Sequence, residues 1–121
     1  MRVAVTSQNF RTITGHAGRS RRFLVFEVLP GAEPLEVTRL DLPRELMLHE
    51  FAGGPHPVDG SDVVVTQSCG AGLVQRLADR GIRVVVTSET DPCTAVRAIA
   101  NGEPVPPPDL RSRHHHHLHH R

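Results

Sequence analysis

Lysine, tryptophan and tyrosine are absent from this 121-residue chain, and it holds only two cysteines. Two cysteines in a chain with a cytoplasmic reading point to reactive thiols or metal ligands before a disulfide framework. Long apolar runs are missing too. Stretches such as Phe23–Phe26 and Val63–Val65 are far too short to span a bilayer. The start, Met1-Arg2-Val3-Ala4-Val5, lacks the apolar core of a secretory signal and reads as a strand, so a cytoplasmic location is expected. An excess of charge is also lacking: 14 basic residues, every one an Arg, against 13 acids leave +1, which calls for neither nucleic acid nor a lipid surface as partner. No Walker A sequence or Gly-x-Gly-x-x-Gly fingerprint occurs. Cys69 is followed by Gln75 where a cysteine phosphatase needs Arg, and Arg76 comes one place too late. Asp41 and Asp62 are wrongly placed for a metal-dependent nuclease, and no Ser–His–Asp set is evident.

What is present is an alternation of short Val-rich runs with helical periods. Arg2–Thr6, Arg22–Leu29, Leu35–Leu42, Asp62–Thr66 and Ile82–Thr87 read as strands, the second and third joined as a hairpin through Pro30-Gly31-Ala32. Leu46–Ala52 predicts about two turns of helix before Gly53-Gly54-Pro55. Leu73, Val74 and Leu77 stand at helical spacing in Gly70–Arg80, and Asp91-Pro92 supplies an N-cap and an N1 proline for a last helix ending near Asn101-Gly102. Strand–helix–strand–helix requires parallel strands with a crossover, so the fold class is α/β, a mixed sheet flanked by helices. The expected domain is 1–102. Residues 103–121 follow as a Pro-rich arm and a His-rich tail without periodicity, read as disordered.

Ligands in open α/β sheets collect beyond the carboxyl ends of the strands. There the chain places Gln67-Ser68-Cys69-Gly70-Ala71-Gly72 and Ser88–Cys93; if the first strand is parallel to its neighbours, the loop carrying His16 joins them. Cys69 and Cys93 stand at predicted helix N-termini, where unsatisfied N–H groups favour thiolate, a ligand for soft metals and iron–sulfur species. Gly70 and Gly72 let backbone approach an anionic guest. The plain alternative is that both cysteines are small buried fillers. His16, between Gly15 and Ala17-Gly18, can swing toward a ligand or simply face solvent, and Arg19, Arg21 and Arg22 could clamp an anion or only guard a strand edge. The spacings of His49 and His56 alone indicate no metal site. His114, His115, His116, His117, His119 and His120 would bind divalent transition metals with little selectivity.

In order and spacing these segments resemble the dinitrogenase iron–molybdenum cofactor biosynthesis family of small NifX-like carriers. Arg2-Val3-Ala4-Val5 is similar to the family's first strand, Gly15-His16-Ala17-Gly18-Arg19 with Phe23 to its His-Phe-Gly-Arg-Ala signature, and Asp62–Val65 through Cys69-Gly70 to Ile82 to its strand–turn–helix–strand block. The likeness covers about residues 1–102. It implies a ribonuclease H-like fold with a five-stranded mixed sheet in order 3-2-1-4-5, and His16, His49 and Gly70 as cofactor-binding positions. Two departures stand out: Ala17 replaces the signature Phe, and Ser68-Cys69-Gly70 adds a thiol.

The expectation is therefore a non-catalytic carrier for a metal–sulfur cluster of Fe/Mo or Cu/Mo type, or its precursor. Its site would draw on His16, Cys69, Gly70, Gly72, His49, Cys93 and Arg19. Cluster donor and acceptor proteins would be its partners, with no nucleic acid and no membrane, and the chain a monomer or weak homodimer. The rival readings are a metal-ion buffer acting through the tail, and an enzyme with Cys69 as nucleophile.

Overall fold

The computed structural model describes residues 1–51 and 53–109. Five strands, β1 (Arg2–Thr6), β2 (Arg22–Glu27), β3 (Leu35–Asp41), β4 (Val63–Thr66) and β5 (Arg83–Val86), form one sheet in the order β3-β2-β1-β4-β5. Helix α1 (Ala71–Asp79) joins β4 to β5 and α2 (Pro92–Ala100) follows β5. β1 pairs antiparallel with β2 and parallel with β4, and β4 pairs parallel with β5. The α/β class and the strand order expected from the sequence are both found.

The Val-rich runs earn their central places because they are apolar on both faces. Val3, Val5, Leu24, Phe26, Val63 and Val65 point to one side and pack under Ala95, Val96 and Ile99 of α2. Ala4, Phe23, Val25 and Val64 point to the other and pack with Leu77 of α1 and with Leu42, Leu48, Val58 and Ile82. Each of the Val, Leu, Ile and Phe side chains contributes about 1.5–3 kcal/mol on burial, so the sheet with a helix on each face is the structural core.

One expectation changes. Residues 46–51 form no α-helix: a single 3-10 turn at Arg44–Leu46 follows Pro43, and Met47 and Glu50 donate back only three residues. Tertiary bonding wins there over local propensity, since the His49 N–H is taken by the Gly18 carbonyl at 2.9 Å. The beginning of the arm lies against the domain. Val105 packs on the α2-side core, the Thr87 hydroxyl donates to the Pro106 carbonyl at 2.6 Å, and the Ser88 N–H donates to the Pro107 carbonyl at 3.2 Å. The six tail histidines fall outside the described residues.

Candidate functional site

β1, β4 and β5 run parallel, so their carboxyl ends form one rim, closed underneath by three fully buried threonines, Thr6, Thr66 and Thr87. The Thr6 and Thr66 hydroxyls lie 2.9 Å apart and both reach the Thr14 carbonyl, at 2.6 and 3.2 Å. Thr66 also reaches the Ser68 carbonyl at 3.1 Å. The β1–β2 loop is thereby strapped across the rim: Thr14 N–H donates to Thr6, Gln67 N–H to Thr14, and Ile13 N–H to Thr90.

Above this strap the loop turns through His16, which is left-handed at φ 57°, ψ 61°. For a residue with a Cβ that conformation costs about 1–2 kcal/mol. Ser68 offsets the cost. Its Oγ accepts the His16 N–H at 2.7 Å, and its carbonyl accepts the Ala17 N–H at 3.0 Å. The two loops meet so closely that a Cβ on Gly15 would lie 2.9 Å from Ser68 Oγ, and one on Gly18 would lie 2.9 Å from His49 Cβ. The glycines that flank His16 are thus required by contact between chain segments, a role invisible in the local sequence. Ala17, where the signature carries Phe, is fully buried beneath the exposed His16.

An open cavity of about 810 Å³ results, lined by His16, Ala17, Gly18, Arg19, His49, Ser68, Cys69, Gly70, Ala71, Leu73 and Val74. His49 Nδ1 faces the Gly18 carbonyl at 3.0 Å, so that nitrogen carries the proton. Its Nε2 lies 3.3 Å from a Glu50 carboxylate oxygen and is the ring atom left to meet a metal. Gly70 is the uncapped N-cap of α1, and a Cβ there would meet no protein atom within 4 Å. The fold does not demand glycine at that position; the missing side chain leaves room in the cavity.

Of the residues singled out in the sequence, His16, Arg19, His49, Cys69 and Gly70 converge on this cavity; Gly72 and Cys93 are not among its walls. Cys93 lies on α2 and packs against the core on that side of the sheet. The thiolate expectation is also corrected. Burial pushes the Cys69 thiol above the usual range, and burial together with the Asp91 charge does the same for Cys93. Cys69 precedes the N-cap, with Sγ 3.6 Å from the Gly70 carbonyl rather than aimed at the helix amides. His56, the remaining histidine before the tail, is structural: Nε2–H donates to the Leu46 carbonyl at 2.6 Å and Nδ1 accepts from Val58 at 3.0 Å. Among the described residues, no three His, Cys, Asp or Glu side chains already stand together as a metal cage.

The fold and cavity define an α/β domain whose parallel-strand rim presents two imidazoles, a thiol and a guanidinium to one ligand space. Solved structures share this fold, among them the following two. The crystal structure of PH0822 superposes with a TM-score of 0.68 at 21% identity, covering 92% of this chain and 99% of that one. An NMR structure of a Thermotoga protein that belongs to the DUF35 family gives 0.55 at 17% identity over 84% and 88% of the two chains. No curated protein matches the chain at a significant level. The profile of the dinitrogenase iron–molybdenum cofactor family matches residues 1–102, and the chain belongs to that family.

Proposed function

We propose that the chain is a carrier for a metal–sulfur cofactor or its precursor, seated in the 810 Å³ cavity at the rim. The observation that carries this reading is the convergence of His16, His49 and Cys69 from three separate segments onto one open space. Imidazole and thiolate are donors for iron and for soft metals. Cys69 would bind the metal through its sulfur and release its proton to solvent as the bond forms, as thiol ligands do. A thiol raised by burial suits that role better than that of a nucleophile poised at neutral pH. Arg19 offsets the negative charge of the cargo, and the bare Gly70 backbone gives it space. Ligands on loops hold a cluster less rigidly than a preformed cage, which leaves the cargo able to depart to an acceptor protein. The cargo is an iron–molybdenum–sulfur species or a copper–molybdenum relative, received from a donor protein in the cytoplasm.

The test is anaerobic loading with isolated iron–molybdenum cofactor, followed by gel filtration, elemental analysis and visible absorbance. With no Trp or Tyr the protein contributes little absorbance of its own. The expected result is near-stoichiometric metal and sulfide in the chain, lost in the His16→Ala/Cys69→Ser double variant and kept in Cys93→Ser. Loading that survives the double variant would overturn the assignment of the site.

A further inference from the structure

A second cavity, of about 540 Å³, adjoins the first and is lined by Arg19, Arg21, Arg44, Met47, His49 and Glu50. It shares Arg19 and His49 with the cofactor cavity. Its three arginines differ from most others in the fold. Arg2, Arg22, Arg39, Arg80 and Arg97 each pair with a carboxylate. Among the described residues, the guanidinium groups of Arg19 and Arg44 have no hydrogen-bond or carboxylate partner. Arg21 donates Nε–H to the Leu42 carbonyl at 2.7 Å, which holds its guanidinium in place while leaving the two terminal nitrogens for another acceptor. Glu50 is the lone carboxylate in the lining, and it lies beside His49 Nε2. Three guanidinium groups against one carboxylate leave this cavity positive. Gathering like charges is unfavourable by itself, and an oxyanion bound by forked N–H donors relieves it.

We propose that Arg19, Arg21 and Arg44 form an oxyanion subsite, for a carboxylate or phosphate group, continuous with the cofactor cavity through Arg19 and His49. A cargo could then be held at two chemically different ends, metal–sulfur at His16 and Cys69, oxyanion at the arginines. That second statement rests on the carrier reading; oxyanion binding by the arginines does not.

The experiment titrates the full chain, free of metal, with inorganic phosphate and separately with citrate. It follows backbone and arginine Nε–H resonances by NMR, with calorimetry for affinity. Saturable binding is expected, with shifts centred on residues 19, 21 and 44, weakening as ionic strength rises. Arg44→Gln should weaken it at least tenfold without moving the melting temperature, because among the described residues the Arg44 guanidinium has no hydrogen-bond or carboxylate partner. Arg83→Gln removes an arginine on β5, outside this cavity, that has no carboxylate partner among the described residues, and should leave binding unchanged, which separates a site from net charge. Binding of one probe alone would support the subsite and assign its chemistry. If neither anion binds, if shifts centre elsewhere, or if Arg44→Gln and Arg83→Gln behave alike, the subsite is overturned. Because no metal is present, failure here is distinct from failure of cluster loading.

Discussion

Replacing His16 by Gly and by Ala separates what the loop geometry costs from what the imidazole does. In a helix or strand, Gly is less stable than Ala by about 0.5–1 kcal/mol. His16, however, stands at φ 57°. There a Cβ costs about 1–2 kcal/mol, which Gly avoids. Ala recovers about 0.4–1 kcal/mol through its stiffer unfolded chain. The difference leaves His16→Gly the more stable of the two by about 0.5–1 kcal/mol, so the ordinary order of the pair is inverted. For a domain of this size that is a difference of about 4 °C in melting temperature. Thermal and urea unfolding followed by far-ultraviolet circular dichroism measures it, since the chain lacks Trp and Tyr for fluorescence. Both variants should lose cofactor loading. A domain stabilised by removing its candidate ligand would mean that the loop holds His16 in a strained conformation for function. If His16→Ala proves the more stable, His16 is not left-handed in solution, and the account of Ser68 as its clamp fails with it.

Gly18→Ala should cost about 1–3 kcal/mol, because its Cβ would lie 2.9 Å from His49 Cβ; it should also weaken loading by displacing that imidazole. Asp91→Ala should cost about 1 kcal/mol through loss of the α2 N-cap, read by denaturant midpoint. The Thr94 hydroxyl and N–H hold the Asp91 carboxyl below the usual carboxylate range, so its contribution is present above about pH 3.9 and fades as pH falls through the lowered value. Both thiols are raised in the folded state, so their stabilising effect is present below about pH 8.5 and is lost as pH rises through the raised values; Cys69→Ser/Cys93→Ser should flatten that alkaline decline. Metal-free Cys69 should react more slowly with iodoacetamide at neutral pH than a free thiol does. Deleting residues 111–121 should leave cluster loading unchanged, checked by elemental analysis.

Periodicity and punctuation carried much of the architecture. Val-rich runs apolar on both faces can only be interior strands, and Asp91-Pro92 can cap a helix but hardly continue one. These are local properties, legible without knowing any neighbour. The family signature points to His16, His49 and Gly70, and the order of strands and helices places Cys69 at the same rim.

Local logic misled where a distant segment supplied the decisive bond. Leu46–Ala52 has enough apolar spacing for a helix, yet the Gly18 carbonyl takes the His49 N–H, and residues 46–51 lie in tight turns. Helix N-termini suggested thiolates, but burial decides the protonation of Cys69 and Cys93. Both cysteines follow parallel strands, which in sequence places Cys93 with Cys69, but α2 and α1 pack on opposite faces of the sheet. No pattern in one segment announces that Ser68 will clamp His16 across 52 positions of chain, or that Gly15 and Gly18 are glycines because Ser68 and His49 press against them. Burial pattern and capping are written in neighbouring residues, so the sequence alone determined the strands and both helices. A site assembled from three loops depends on which chain ends share a sheet edge and how closely they approach. That was settled only when the parallel strands brought the loops together.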